Sequence, residues 1–459
     1  MTKIHLSMFE NENDWHIDLI SLPKKSFWKL TVPIAIYLIF NALYSIVDMI
    51  WVTNLGFDAT FAVSTAAPIF ALIVTFGDSI GQGTNSIMSR YIGSNDYESA
   101  YNSLIHGILT AVFVSILIIF SILFIDDILS IMLYDDSIGQ IMEYLIPLFI
   151  FSCVFIISTV FCETFQVEGN SKTPVAIMVS ANILNLVIDP ILIYGLNMGV
   201  SGAAYASIVS QFFALLTFLY IYTHSKTKVP LRLGYFKFRP HILFEILKVA
   251  LPNFLDDSMS CILAVFINWI LILNIGEIGL VLYAVSIKIR TFLRAPIKGM
   301  GRGLMSVTGH LFGAKKINEL NVMYIYVLKM ALVASLAISL LFFFLRNQLY
   351  ASFSIVGLET SIFYIALFGI VMIMVYPFSY ISAKMLNGFG KSIYALIFNV
   401  LKIVLQIILI NFLLDAFPEG VSVLVGLTLG EIIFSAVYFI TLKLLLKRFD
   451  SHKDQLQVT

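Results

Sequence analysis

Long apolar runs, broken only by isolated polar positions, alternate with short polar stretches along nearly the whole chain. A helix needs about 20 apolar residues to cross the ~30 Å hydrocarbon layer of a bilayer. Runs of that kind lie near 28–54, 61–90, 103–125, 141–167, 173–194 and 199–222. After a polar stretch they resume near 242–274, 279–311, 323–345, 358–387, 391–415 and 421–446. The pattern predicts an all-α polytopic membrane protein with 12 transmembrane helices, several of them long enough to be tilted or bent.

The two sets of six repeat each other. Gly81, Gly83, Ser86 and Gly93 recur as Gly301, Gly303, Ser306 and Gly313, an offset of 220. Gly169 and Lys172 pair with Gly388 and Lys391 at 219, and Gly199-Val200-Ser201 with Gly420-Val421-Ser422 at 221. With six spans per half, both copies enter the bilayer from one side. Such parallel repeats form two pseudo-symmetric bundles with a substrate site between them near the midplane. The predicted division is a tail over 1–24, an N-lobe over 25–223, a surface linker over 224–241, a C-lobe over 242–446 and a tail over 447–459.

Composition agrees with that architecture. The chain has 459 residues, 59% hydrophobic and 12% charged, with mean hydropathy +0.93; soluble domains carry roughly 25% charged residues. Zero net charge gives no basis for binding nucleic acid. Cys153, Cys162 and Cys261 fall in apolar runs and read as packing residues. Residues 1–24 show no short apolar core with a cleavage site, so no cleaved signal peptide is expected. Lys24, Lys25, Lys29, Lys226, Lys228, Arg232, Lys237, Arg239, Lys315, Lys316, Lys391, Lys443, Lys447 and Arg448 all fall on one side when the span count is even. The positive-inside rule then places both termini in the cytoplasm, with the protein multi-pass in the cell membrane.

Against this background two acids stand out. A carboxylate within a span costs about 2.5–3.5 kcal/mol on insertion scales. Span one carries Asn41, Tyr44 and Asp48, and span five carries Asn182, Asn185 and Asp189, at matching spacings of three and four. Each set lies along one helical face, free to meet in a shared cavity. Ser207 on span six adds a hydroxyl. No Lys or Arg lies in the central part of any span in the first half to neutralise the acids. An oxygen-only site of this kind suits H⁺ or Na⁺. In the repeat Asp48 maps to Asn268 and Asp189 to Ile408, so the acids are not a demand of the fold. The second half instead carries Arg290, Arg294, Lys298 and Arg302 at four-residue spacing on span eight. These read as a salt-bridged stripe, with Asp256 and Asp257 as partners, or as a basic wall that meets an anionic substrate or lipid phosphate.

Pro33…Val47-Asp48-Met49…Leu55-Gly56, Gly169-Asn170-Ser171-Lys172-Thr173-Pro174, and Asn185-x-x-x-Asp189-Pro190 followed by Gly199-Val200-Ser201-Gly202-Ala203-Ala204 resemble the multidrug and toxic compound extrusion (MATE) family. The archaeal and DNA-damage-inducible branch is the most similar. The resemblance covers about 25–446. It implies a V-shaped pair of six-helix bundles, alternating access, and export of small organic compounds in exchange for H⁺ or Na⁺. It also implies a cation site at Asp48, Asn185, Asp189 and Ser207, with Tyr44 and Tyr144 as neighbours, and a hinge in span one at Pro33.

An antiporter needs no cofactor and no ATP. One charge crossing 100 mV supplies ~2.3 kcal/mol, whereas tenfold accumulation costs ~1.4 kcal/mol. No complete Gly-x-x-x-x-Gly-Lys-Ser/Thr loop occurs. The basic span eight supports a second reading, a lipid-linked precursor flippase of the same superfamily, and a non-transport membrane receptor is the third. The seven histidines lie in loops, tails or span ends, so the chain is not expected to be an enzyme. The expected partners are membrane lipids and small organic molecules, with the protein acting as a monomer.

Overall fold

A computed structural model describes residues 20–132, 138–224, 229, 236–274, 277–351, 359–413 and 421–451. Helices account for almost all of them. The first half comprises α1 (Pro23–Thr53), α2 (Phe57–Gly93), α3 (Tyr97–Met132), α4 (Ile138–Ile150), α5 (Ser152–Val167), α6 (Lys172–Pro190) and α7 (Gly199–His224). The second comprises α8 (Pro240–Asn274), α9 (Glu277–Gly313), α10 (Ile317–Ala351), α11 (Glu359–Gly388), α12 (Ser392–Leu413) and α13 (Val421–Ser451). Nine helices among the described residues are long and apolar enough to cross a membrane, and α4 with α5, bent by 52° around Phe151, makes a tenth. The other two, α8 and α9, hold Asp256 and Asp257 and the row Lys288, Arg290, Arg294, Lys298 and Arg302. Twelve transmembrane helices in two six-helix bundles result, as the apolar pattern predicts.

The internal repeat is visible in backbone detail. The α2–α3 and α9–α10 turns each place a non-glycine residue in the left-handed region, Asn95 (φ 62°) and Lys315 (φ 57°). Each turn closes with the same two hydrogen bonds, Asn95 N to Ile92 O and Asp96 N to Tyr91 O matching Lys315 N to Phe312 O and Lys316 N to Leu311 O. The turns after α5 and α11 match likewise through Gly169 (φ 85°) and Gly390 (φ 73°). This changes the register read from sequence: the glycine equivalent to Gly169 is Gly390, not Gly388, because the left-handed turn is what the repeat preserves.

The bundles meet where α2 crosses α9. A Cβ on Gly93 would collide with the carbonyl oxygen of His310, and one on Gly313 with that of Arg90. Arg90 and His310 are equivalent at the 220 offset, as are Gly93 and Gly313, so the pseudo-two-fold axis passes through this contact. A Cβ on Gly309 would meet Ser89 Oγ in the same interface. Valine at Gly93 or Gly313 should cost about 1–3 kcal/mol by overpacking, and the axis requires the two variants to suffer alike. Thermal unfolding of the two variants in detergent micelles tests this, and a large disparity between them would contradict an equivalent contact.

Helix α1 belongs to both bundles. Its first half puts Phe27, Leu30 and Ile34 into one core with Ile289, Ile297, Leu304 and Tyr324 of the second bundle. Farther along, Val52 joins the core of the first bundle with Ala62, Ile73 and Leu148. Pro33 lies within the stretch that packs on the second bundle, beside Ile34, where α9 approaches closely. A Cβ on Gly303 would strike Thr31 Oγ1, and one on Gly299 would come within 2.8 Å of Ala35 Cβ.

The described stretch of the connection between the halves, 236–239, lies at the surface, with Lys237 and Phe238 exposed, and is tied to α3. Lys237 N donates to Asn102 Oδ1 at 2.9 Å, Arg239 N to His106 Nε2 at 3.0 Å, and Arg239 pairs with Glu98 at 2.7 Å. Val229 is fully buried. Pro240, also exposed, is the first residue of α8, where its missing N–H costs nothing.

Candidate functional site

The end of α6 is shaped by proline. Pro190 has no N–H to continue the helical ladder, and the chain widens into a π-turn over Ile191–Gly195. The turn closes through Leu196 N to Ile191 O at 2.9 Å. Gly202 of α7 packs against this turn, where a Cβ would come within 2.9 Å of Ile193 N. That close approach carries Ser207, farther along α7, to the side of Asn185. Across the gap, Tyr194 Oη donates to Trp51 O of α1 at 2.5 Å, and the two rings meet edge to face. Proline, π-turn, small residue and aromatic tie together fix the ends of α1, α6 and α7 against one another.

Between these ends the polar residues converge. Asp189 is fully buried and Asn185 is 2% exposed. The Asp48 and Asp189 carboxyl groups are close neighbours across the gap between α1 and α6. Tyr44 Oη stands 2.6 Å from the Asn185 amide. With the amide nitrogen turned toward Asp189, it donates to Asp189 Oδ2 at 3.0 Å and its oxygen accepts from Ser207 N at 3.0 Å. Ser207 also stands beside Tyr44. Tyr144, buried on α4, lies close enough to feel both carboxyls. Both aspartates sit in the last turns of their helices, away from the end where α2 crosses α9.

A second polar region lies between the bundles. A cavity of about 560 Å³ is lined by Thr75, Asp78 and Gln82 of α2 and otherwise by the second bundle. Asp48 and Asp189 do not line it. Its floor is a cross-bundle latch. Arg302 of α9 forks between Asp78 of α2 and Glu163 of α5, 3.1 Å from each. Lys384 Nζ of α11 donates to Gln82 Oε1 of α2 at 2.5 Å. Gln82 and Arg302 are related by the 220 offset, and Glu163 and Lys384 by 221, so the two contacts are pseudo-symmetric images. Asn85 continues the network, donating to Glu163 O at 3.1 Å and accepting from Ser306 Oγ at 3.2 Å.

Comparison with known proteins places this arrangement. The MatE family profile matches residues 33–191 and 250–412. The chain belongs to the MatE family. It is a multi-pass membrane transporter rather than an enzyme. Among relatives of this MatE protein is the multidrug export protein MepA of Staphylococcus saprophyticus, 25% identical over 346 residues, 73% of this chain and 76% of that one. A multidrug resistance MATE family transporter of the MOP superfamily, solved in an outward-facing conformation, superposes with TM-score 0.89 at 26% identity, covering 93% and 96% of the chains. A MOP superfamily transporter from Pyrococcus furiosus, described as having a binding pocket of reverse polarity that suggests a different function, superposes with TM-score 0.89 at 26% identity, covering 98% and 99%.

The MatE fold thus brings Asp48, Asn185, Asp189, Ser207, Tyr44 and Tyr144 together. Asn41 is exposed and stands outside the hydrogen-bonded group. Asn182 lies on the same face as Asn185, with its buried amide nitrogen unpartnered among the described residues. The basic stripe on α9 divides. Arg302 pairs across the bundle interface, while Arg290 and Arg294 form no ion pair with Asp256, Asp257 or any other acid among the described residues. Lys402 takes Glu431 at 3.4 Å. Asp78, Glu163 and Glu431 were missed from sequence. The available signal was the repeat, which sets Glu163 opposite Lys384 in charge at equivalent positions.

Proposed function

We propose that this MatE protein is a secondary antiporter that exports small organic compounds by alternating access in exchange for protons carried at Asp48 and Asp189. The closeness of the two carboxyls carries the reading, since two acids side by side in a buried site cannot both hold a negative charge cheaply and favour sharing a proton. Na⁺ would require several oxygens spread around it, whereas here the Asn185 amide points its N–H groups at Tyr44 Oη and Asp189 Oδ2, and its oxygen is taken by Ser207 N. The cargo class follows from relatives such as the staphylococcal multidrug export protein. The basic residues in alternate loops support cytoplasmic termini, so the side sealed by α2, α9 and the Arg302 latch is the cytoplasmic one. Pro33 is the point about which α1 bends, since proline lacks the N–H that would continue the helical ladder.

Flux in proteoliposomes under separately imposed H⁺ and Na⁺ gradients tests the proposal. Cargo is expected to move against its gradient when protons alone are supplied. Movement driven by Na⁺ and indifferent to pH would overturn the choice of ion, and movement driven by neither would overturn antiport.

A further inference from the structure

The charges lining the inter-bundle cavity can be matched one against another. Asp78 is held by Arg302 at 3.1 Å, and Glu431 by Lys402 at 3.4 Å and by Ser379 Oγ at 2.8 Å. Asp257 faces Lys384 and Lys298. Asp256 faces Lys402 and Lys384. The lining thus carries four acids against six cations, and among the described residues Arg290 and Arg294 form no ion pair with any of those acids. Glu431 is the acid that Arg294 feels, and it is already engaged.

Both guanidinium groups are backed by rings rather than by carboxylates. Arg294 lies 4.1 Å over the ring of Tyr376, which stacks on Tyr380, and Arg290 lies 5.9 Å from the ring of Tyr283. Stacking holds a guanidinium plane while leaving its N–H edge available. Arg294 Nε and Nη2 are buried without a hydrogen-bond partner among the described residues. Arg290 Nη1 reaches the weak acceptor Met372 Sδ, at 3.5 Å, and the group otherwise lies beside Tyr283 with no carboxylate partner among the described residues. Unpartnered buried donors of a charged group are costly unless something binds them. Beside them the wall turns apolar, with Leu263, Ala264, Ile287 and Ile403. A cavity of about 560 Å³ lies within the ~300–1,000 Å³ range of sites for drug-sized ligands.

We propose that this cavity binds an amphipathic organic anion, with a carboxylate, sulfonate or phosphate head gripped by Arg290 and Arg294 and an apolar body against α8, α9 and α12. The proposal deepens the exporter reading and rests on it, by naming the charge class of the cargo and separating its seat from the ion site in the first bundle. The oxyanion head has two available sources, a soluble organic acid or a lipid headgroup.

The test is equilibrium binding to the full chain in neutral detergent micelles, followed by fluorescence anisotropy with fluorescein as anionic probe and ethidium as cationic probe. Fluorescein is expected to bind more tightly than ethidium, and to weaken about ten-fold or more in R290Q and in R294Q. R294K, which keeps charge but loses the planar fork, should fall between wild type and R294Q. Displacement of fluorescein by dihexanoyl phosphatidylglycerol but not by dihexanoyl phosphatidylcholine would assign the site to a lipid headgroup. Displacement by benzoate without displacement by either lipid would assign it to soluble organic acids. Equal affinity of wild type and an R290Q/R294Q double variant for fluorescein, or tighter binding of ethidium by wild type, would overturn the proposal. No ion gradient is involved, so failure here leaves the proton-coupling reading intact, and failure of coupling leaves this binding result intact.

Discussion

Arg302→Met is expected to destabilise the protein by about 3–5 kcal/mol, the range found when one partner of a buried ion pair is removed. The loss falls unevenly on the two acids it abandons. Asp78, with a side chain 30% exposed, can turn toward water, whereas the Glu163 side chain is only 2% exposed. Glu163 would keep just the Asn85 amide, at 3.3 Å. A Glu163→Gln change added to Arg302→Met should therefore restore much of the loss, because an amide can be buried uncharged. Thermal unfolding of the single and double variants measures this. Additive losses would show that the pair is not coupled. Arg302→Lys should fall between, since an ammonium cannot fork to two carboxylates as a guanidinium does. The latch also joins the bundles on the side they share, so weakening it should favour whichever state parts them there.

Asp189→Asn should abolish concentrative transport while leaving cargo exchange in place. A pH step of one unit supplies ~1.4 kcal/mol per proton, enough for about ten-fold accumulation. Asparagine keeps the shape and most hydrogen bonds of the side chain but cannot take up and release a proton. Accumulation driven by the pH step should accordingly fall from about ten-fold to about one-fold. Exchange of labelled for unlabelled cargo across equal concentrations needs no driving ion and should continue. Asp48→Asn should behave in the same way, as the other half of the carboxyl pair. If either variant still concentrates cargo like the wild type under a pH step, that aspartate does not carry the coupling proton.

Much of the site was legible because membrane spans make anomalies conspicuous. Asp48 and Asp189 repeat one local spacing of amide and acid, and the structure joins them through Tyr44 and Asn185. Glu163 gave no such sign. It lies in the apolar run Phe161-Cys162-Glu163-Thr164-Phe165, and its partner is on a helix of the other bundle. Local spacing cannot report a pairing made only when two bundles dock. The α9 stripe shows the same limit, because four-residue spacing puts the cations on one face but does not reveal which acid lies opposite each. The register slip at Gly388 has a simpler cause. Residue type matched there, but the conserved quantity was a left-handed turn, which Gly390 makes.

The divided allegiance of α1 bears on how the chain is assembled. Phe27, Leu30 and Ile34 are synthesised with the first bundle but complete the core of the second. Until α9 to α11 arrive, those side chains lack the core that buries them, and the arm is held to the first bundle through contacts such as Ser171 Oγ to Lys29 O. The first half of the chain, released alone, would be an unfinished body with an incompletely buried N-terminal arm. Two halves co-expressed as separate polypeptides should find each other through that arm, so that the earliest helix made is also the last to settle.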